Sequence, residues 1–146
     1  MGRVPRTSLP DGYFHVYARG VATGVPLFID DVDRRFFLAL LALCAERHSW
    51  TCHAYALLST HYHLVLETTR ARVSGGAHQL NGHYANHVNA RHGRFGHVFA
   101  ERFQARAIES EDYLYDACAY VVQNPVKAGL CDRPEDWAWS YSRYNS

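Results

Sequence analysis

The sequence predicts an α+β fold: an antiparallel sheet with helices packed on one face, in the order β-α-β-β-α-β-α. Three observations predict it. Segments that alternate with period two are interleaved with segments whose apolar residues recur at helical spacing. The two central strand segments are separated by only three residues, too few for a parallel crossover, so they pair as a hairpin. Finally, 146 residues with no internal repeat and no linker-like tract suit one domain with a real core.

The first strand is YFHVYAR (13–19), where aromatic and β-branched residues alternate and the run ends at Gly20. VATGVPLF (21–28) follows as a loop. The acidic start DDVD then leads into RRFFLALLALCAERH, in which Phe36, Phe37, Leu40, Leu41 and Cys44 mark the buried face of a helix beginning at Asp31. Trp50–Leu58 and Tyr62–Thr68 form the hairpin, joined by Ser59, Thr60 and His61. From Ser74 to Ala90, Ala77, Leu80, Tyr84 and Val88 predict a second amphipathic helix with a polar, His-rich outer face. RHGRFGH (91–97) breaks it with two glycines, and Phe99–Glu109 alternates loosely as a fourth strand. Ser110, Glu111 and Asp112 cap a last helix with a buried stripe of Leu114, Ala117, Cys118, Val121 and Val122, and Pro125 is expected to stop it at about Asn124.

Composition narrows the function classes. Apolar residues make up 48% and charged residues 20%, a folded rather than a disordered balance. No apolar run approaches the roughly 20 residues of a membrane span, and MGRVPRTSLP lacks the h-region of a signal peptide, so a prokaryotic cytoplasmic location is expected, with residues 1–10 a flexible arm. The four cysteines (44, 52, 118, 131) form no C-x-x-C pair and are expected as free, largely buried thiols. A zinc-dependent nucleobase deaminase is excluded by the absence of H-x-E and P-C-x-x-C.

Net charge is only +1, but its distribution is uneven. From Arg70 to Arg106 there are six arginines (70, 72, 91, 94, 102, 106) and five histidines against one acid, Glu101. Arginine's planar fork matches phosphate, so this third of the chain is suited to an anion. In RHGRFGH, Arg91 and Arg94 supply charge beside glycines that admit close backbone approach, and Arg102 and Arg106 extend the footprint. Tyr84 and Phe95 lie within it, placed either to stack on unpaired bases or to pack internally.

The chemistry-bearing residues are few. His61 and His63 share one face of a strand about 6.6–6.8 Å apart along the backbone, close enough to lean onto one divalent ion. Tyr120 and Asn124 stand four apart on one helix face, with Tyr113 on its flank. A tyrosine hydroxyl can attack phosphorus, and an amide oxygen can complete a His-His ligand set. Each pair also has a purely structural reading: histidines at a strand start and within a sheet, and a core-edge tyrosine with a helix-terminal asparagine.

Together HYH (61–63), LNGHYANHVNARHGRFGHVFAERF (80–103), AYVVQNPVKAGL (119–130) and the closing WAWSYSRY (137–144) resemble the single-tyrosine HUH transposases of the IS200/IS605 type, most closely the REP-associated tyrosine transposase branch. The resemblance runs from about Pro10 to the end. It implies a ferredoxin-like core and a single HUH domain over 1–146. It implies Tyr120 as a nucleophile that cuts single-stranded, hairpin-bearing DNA through a 5′-phosphotyrosine, and His61, His63 and Asn124 as ligands of Mg²⁺ or Mn²⁺. The wider group includes dimers that exchange the tyrosine helix, whereas the closer branch implies a monomer, expected here over a homodimer together with a nucleoid-associated place. Three positions depart from the family: Ser59 and Thr60 stand where Pro-Asn is frequent, and Ala119 where an arginine often precedes the nucleophile. A domesticated hairpin-binding module that no longer cleaves is the alternative function.

Overall fold

The computed structural model describes residues 12–21 and 25–144; the arm expected over 1–10 lies outside them. The elements run β1 (Gly12–Arg19), α1 (Asp31–Arg47), β2 (Thr51–Leu57), β3 (His61–Thr68), α2 (Arg70–His92), β4 (Gln104–Ile108), α3 (Glu111–Lys127), a 3₁₀ turn (Pro134–Asp136) and β5 (Ser140–Ser142). All strands pair antiparallel, in the spatial order β4-β1-β3-β2-β5. The first four strands and two helices thus form the βαββαβ arrangement of a ferredoxin-like core. β5 is an addition that the sequence reading did not contain.

Alternation along the strands sorts side chains to two faces. Phe14, Val16 and Ala18 of β1 and Tyr62, Leu64 and Leu66 of β3 enter the larger core, with Phe37 and Leu41 of α1 and Val73, Ala77, Leu80, Tyr84 and Val88 of α2. The opposite face buries Ala54, Ala56 and Val65 against Leu114, Cys118 and Val121 of α3. The one-face placement of helices therefore holds for α1 and α2, and is corrected for α3. The physical reason is chain economy: α3 follows β4 at the sheet edge and lays its apolar stripe on the face left open.

Three elements have boundaries well off those expected. α2 begins at Arg70, where the Thr69 hydroxyl accepts from the Arg72 N–H at 3.3 Å, four residues before Ser74. It runs on to His92 and is closed by Gly93 at φ 62°, so the first two residues of RHGRFGH are helical. β4 is shorter than Phe99–Glu109, because pairing with β1 covers only Gln104–Ile108. Third, Pro125 does not stop α3. Its ring is buried, and the helix runs on to Lys127 and is closed by Gly129, whose φ of 76° lets the Gly129 N–H donate to Val126 O and the Leu130 N–H to Pro125 O. The left-handed glycine sets the end, and Asn124 lies within regular helix. Among the described residues the cysteines are free thiols, Cys44 and Cys118 buried and Cys52 and Cys131 half-buried. No described helix is long and apolar enough to cross a membrane.

Candidate active site

The open end of the α3 face, beyond the small core, carries the polar residues of the sheet. Register places Tyr17 opposite His63, Arg19 opposite His61, and Arg106 opposite His15, so these side chains share one face. α3 crosses above them. Tyr120 stands with its ring centroid 5.9 Å from those of both His63 and His15, edge to face in each case. Together His15, Tyr17, His61, His63, Gln104, Arg106, Tyr120 and Asn124 line a cleft of about 330 Å³. A larger groove of about 670 Å³ between α1 and α2, lined by Leu40, Leu43 and Cys44, holds none of these groups.

The two sequence-predicted histidines meet as expected of strand neighbours, ring centroids 5.1 Å apart and nearly perpendicular. His61 Nδ1 lies 3.0 Å from the Thr60 hydroxyl, so the threonine at this departure from the family pattern still orients the ring. His63 Nδ1 lies 2.9 Å from His15 Nε2, while His63 Nε2 is buried without a hydrogen-bond partner. Burial first, then the neighbouring His15 and His61, pushes His63 down to about 3. Burial likewise lowers His15, assisted by Arg106, and His61, assisted by Arg19. All three imidazoles are therefore neutral near pH 7, the form that ligates metals.

Asn124 donates from its Nδ2 to the Tyr120 carbonyl at 2.8 Å, a bond that does not use its amide oxygen. Lys127, the chain's one lysine, holds its Nζ 5.0 Å from the centre of the Tyr120 ring. Among the described residues no group of three or more His, Cys, Asp or Glu is arranged to hold a metal ion. His15 turns its Nε2 to His63. A divalent ion here thus needs an oxygen donor such as Asn124 beside the two imidazoles. The buried, unpartnered His63 Nε2 is an atom that such an ion would satisfy, so the residues present fit the group.

The basic third of the chain divides. Arg106 lines the cleft. Arg102 lies over the Phe103 ring at 5.7 Å on a separate groove along α2, Arg94 is half-buried in the loop after Gly93, and Phe95 is 96% exposed. Tyr84 needs correction, and Arg91, though exposed, has its guanidinium engaged by Asp30 and Asp33 at the start of α1. Tyr84 is fully buried and donates to Leu27 O at 2.8 Å, so it packs and cannot stack on a base. Four residues that the sequence reading did not single out join the site: His15, Tyr17, Gln104 and Lys127. The alternation of YFHVYAR already places the first two on one face; nothing local marks that face as the one α3 leaves open.

No family model matches the chain, and no curated protein does. A solved structure of a REP-associated tyrosine transposase bound to a REP hairpin matches with a TM-score of 0.67 at 18% identity, over 96% of this chain and 82% of that one. With β4-β1-β3-β2 order and an added helix on the second face, the chain has the fold of a REP-associated tyrosine transposase.

Proposed function

We propose that this chain is a single-stranded DNA endonuclease and strand transferase acting at hairpin-bearing DNA, with Tyr120 as nucleophile. The observation that carries the reading is the convergence of Tyr120 and Asn124 from α3 with His61 and His63 from β3 in one cleft. The fold likeness to a transposase bound to a hairpin supports the substrate class. His61, His63 and Asn124 would hold Mg²⁺ or Mn²⁺, which when bound polarises a phosphoryl oxygen. Arg106, lining the same cleft, meets the charge of the scissile phosphate, the task left open by Ala119.

Tyr120 attacks phosphorus: its Oη–P bond forms, the P–O3′ bond breaks, the phenolic proton is lost and the leaving 3′ oxygen gains one. The products are a 5′-phosphotyrosine and a free 3′-OH. Because the phosphodiester is exchanged rather than hydrolysed, a second 3′-OH reverses the step and joins strands without ATP. α3 brings Tyr120 to histidines of its own chain, which supports action as a monomer. The test incubates the full chain with a library of single-stranded hairpins and Mn²⁺. A denaturant-resistant adduct mapping to the peptide with Tyr120 is expected; tight hairpin binding with no adduct under any divalent ion would leave only the non-cleaving module.

A further inference from the structure

His15 contacts both halves of the cleft. It lies on β1, its ring is stacked on His63 at 5.1 Å with an interplanar angle of 28°, and it meets the edge of Tyr120. The 2.9 Å contact between His15 Nε2 and His63 Nδ1 holds one hydrogen. Two arrangements are possible. If His15 donates, neutral His63 carries its own hydrogen on Nε2, where it is a buried N–H with no acceptor and no lone pair faces the cleft. If His63 Nδ1–H donates, Nε2 keeps its lone pair, and the remaining hydrogen of His15 sits on its Nδ1.

Only the second arrangement makes His63 a ligand. It also removes His15 Nε2 as a proton acceptor for Tyr120. From this geometry we infer that His15 is a positioning residue that fixes His63 in the Nδ1–H tautomer and aims its Nε2 into the cleft. The inference rests on the reading of His63 as a metal ligand. Ligating histidines in general donate their second nitrogen to a neighbouring acceptor, and losing that acceptor costs about 10–100-fold in metal affinity. Here the acceptor is another imidazole on the adjacent strand, so the ligand set is braced by β1 as well as by β3 and α3.

Two measurements on the full-length chain test this. Long-range ¹H–¹⁵N spectra of the metal-free protein should show His63 protonated on Nδ1; protonation on Nε2 overturns the inference. Calorimetric titration with Mn²⁺ alone should show His15→Ala weakened about 10–100-fold. His15→Gln, whose amide oxygen accepts from Nδ1–H, should recover to within a few-fold of wild type. Equal Mn²⁺ affinity in wild type and His15→Ala overturns this role and leaves the proposed function standing, whereas a wild-type chain that binds no Mn²⁺ overturns the metal seat and this inference together. Failure of His15→Gln to recover while circular dichroism shows both variants folded also counts against it, since a merely space-filling role would then explain the loss.

Discussion

Arg91 holds Asp30 through two N–H···O contacts, Nη1 to Oδ1 at 2.6 Å and Nη2 to Oδ2 at 2.7 Å, and reaches Asp33 Oδ1 at 2.8 Å. The fork clamps the last turn of α2 to the first turn of α1. Because Asp33 is fully buried, removing Arg91 takes donors from a carboxylate that has no water to replace them. Arg91→Ala is therefore expected to melt several degrees lower while leaving the salt dependence of hairpin binding unchanged. Arg94→Ala should do the opposite, keeping the melting temperature and making the slope of log K against log [salt] shallower by about 0.7. Melts and salt titrations of both variants check this; a shallower slope in Arg91→Ala at wild-type stability would return that arginine to the DNA interface.

Asp33 also predicts a pH dependence. Burial pushes its carboxyl up, but hydrogen bonds from Arg91, His87, His92 and the Ile29 N–H outweigh burial and bring it below the ordinary carboxylate value. A depressed folded-state pKa adds stability that is present above the unfolded value of about 4 and is lost as pH falls through the folded value. Asp33→Asn should be less stable than wild type at neutral pH, with the gap narrowing below about pH 4. Urea midpoints across this range decide it, and a gap independent of pH would mean that the charge of Asp33 contributes nothing.

Two glycines of α2 make a matched pair. A Cβ at Gly76 would lie 2.2 Å from Trp50 Cζ2, and the Trp50 ring is tethered by its Nε1–H to Arg72 O at 3.0 Å. Gly76→Ala should cost about 1–3 kcal/mol through overpacking. A Cβ at Gly82 meets nothing within 4 Å, so Gly82→Ala should stabilise by up to about 1 kcal/mol through helix propensity. Denaturant unfolding of both variants reads the difference; equal effects would show that the Trp50 contact yields.

Tyr120→Phe removes one oxygen and keeps the ring that packs beside His15 and His63. Covalent adduct should vanish while hairpin affinity stays within a few-fold of wild type. Adduct persisting in this variant would move the nucleophile to another tyrosine of α3, with the 61% exposed Tyr113 the first to substitute.

Periodicity was enough for the order and type of the first seven elements, because period two and period 3.6 are properties of the chain itself. The same rule put His61 with His63 and Tyr120 with Asn124 before any tertiary contact was known. Boundaries followed less well where local preference lost to packing. Gly75 and Gly76 argue against helix, yet Gly76 is the residue that lets α2 approach Trp50. Pro125 disfavours helix before it, yet burial of its ring and the left-handed Gly129 carry α3 one turn further.

The residue pattern by itself determined an α+β chain with an imidazole pair on one strand, a tyrosine and an amide on one helix, and an arginine-rich third between them. Tertiary structure decided which of these groups meet. Whether the Arg91 guanidinium is already paired depends on Asp30 and Asp33 about sixty positions earlier. Whether His63 presents a lone pair depends on His15, 48 positions earlier on another strand. Partners so distant in sequence leave no periodic signal, since a hydrogen bond or ion pair is set by proximity in space, and proximity is created only when the sheet order brings β1 beside β3 and lays α3 across both.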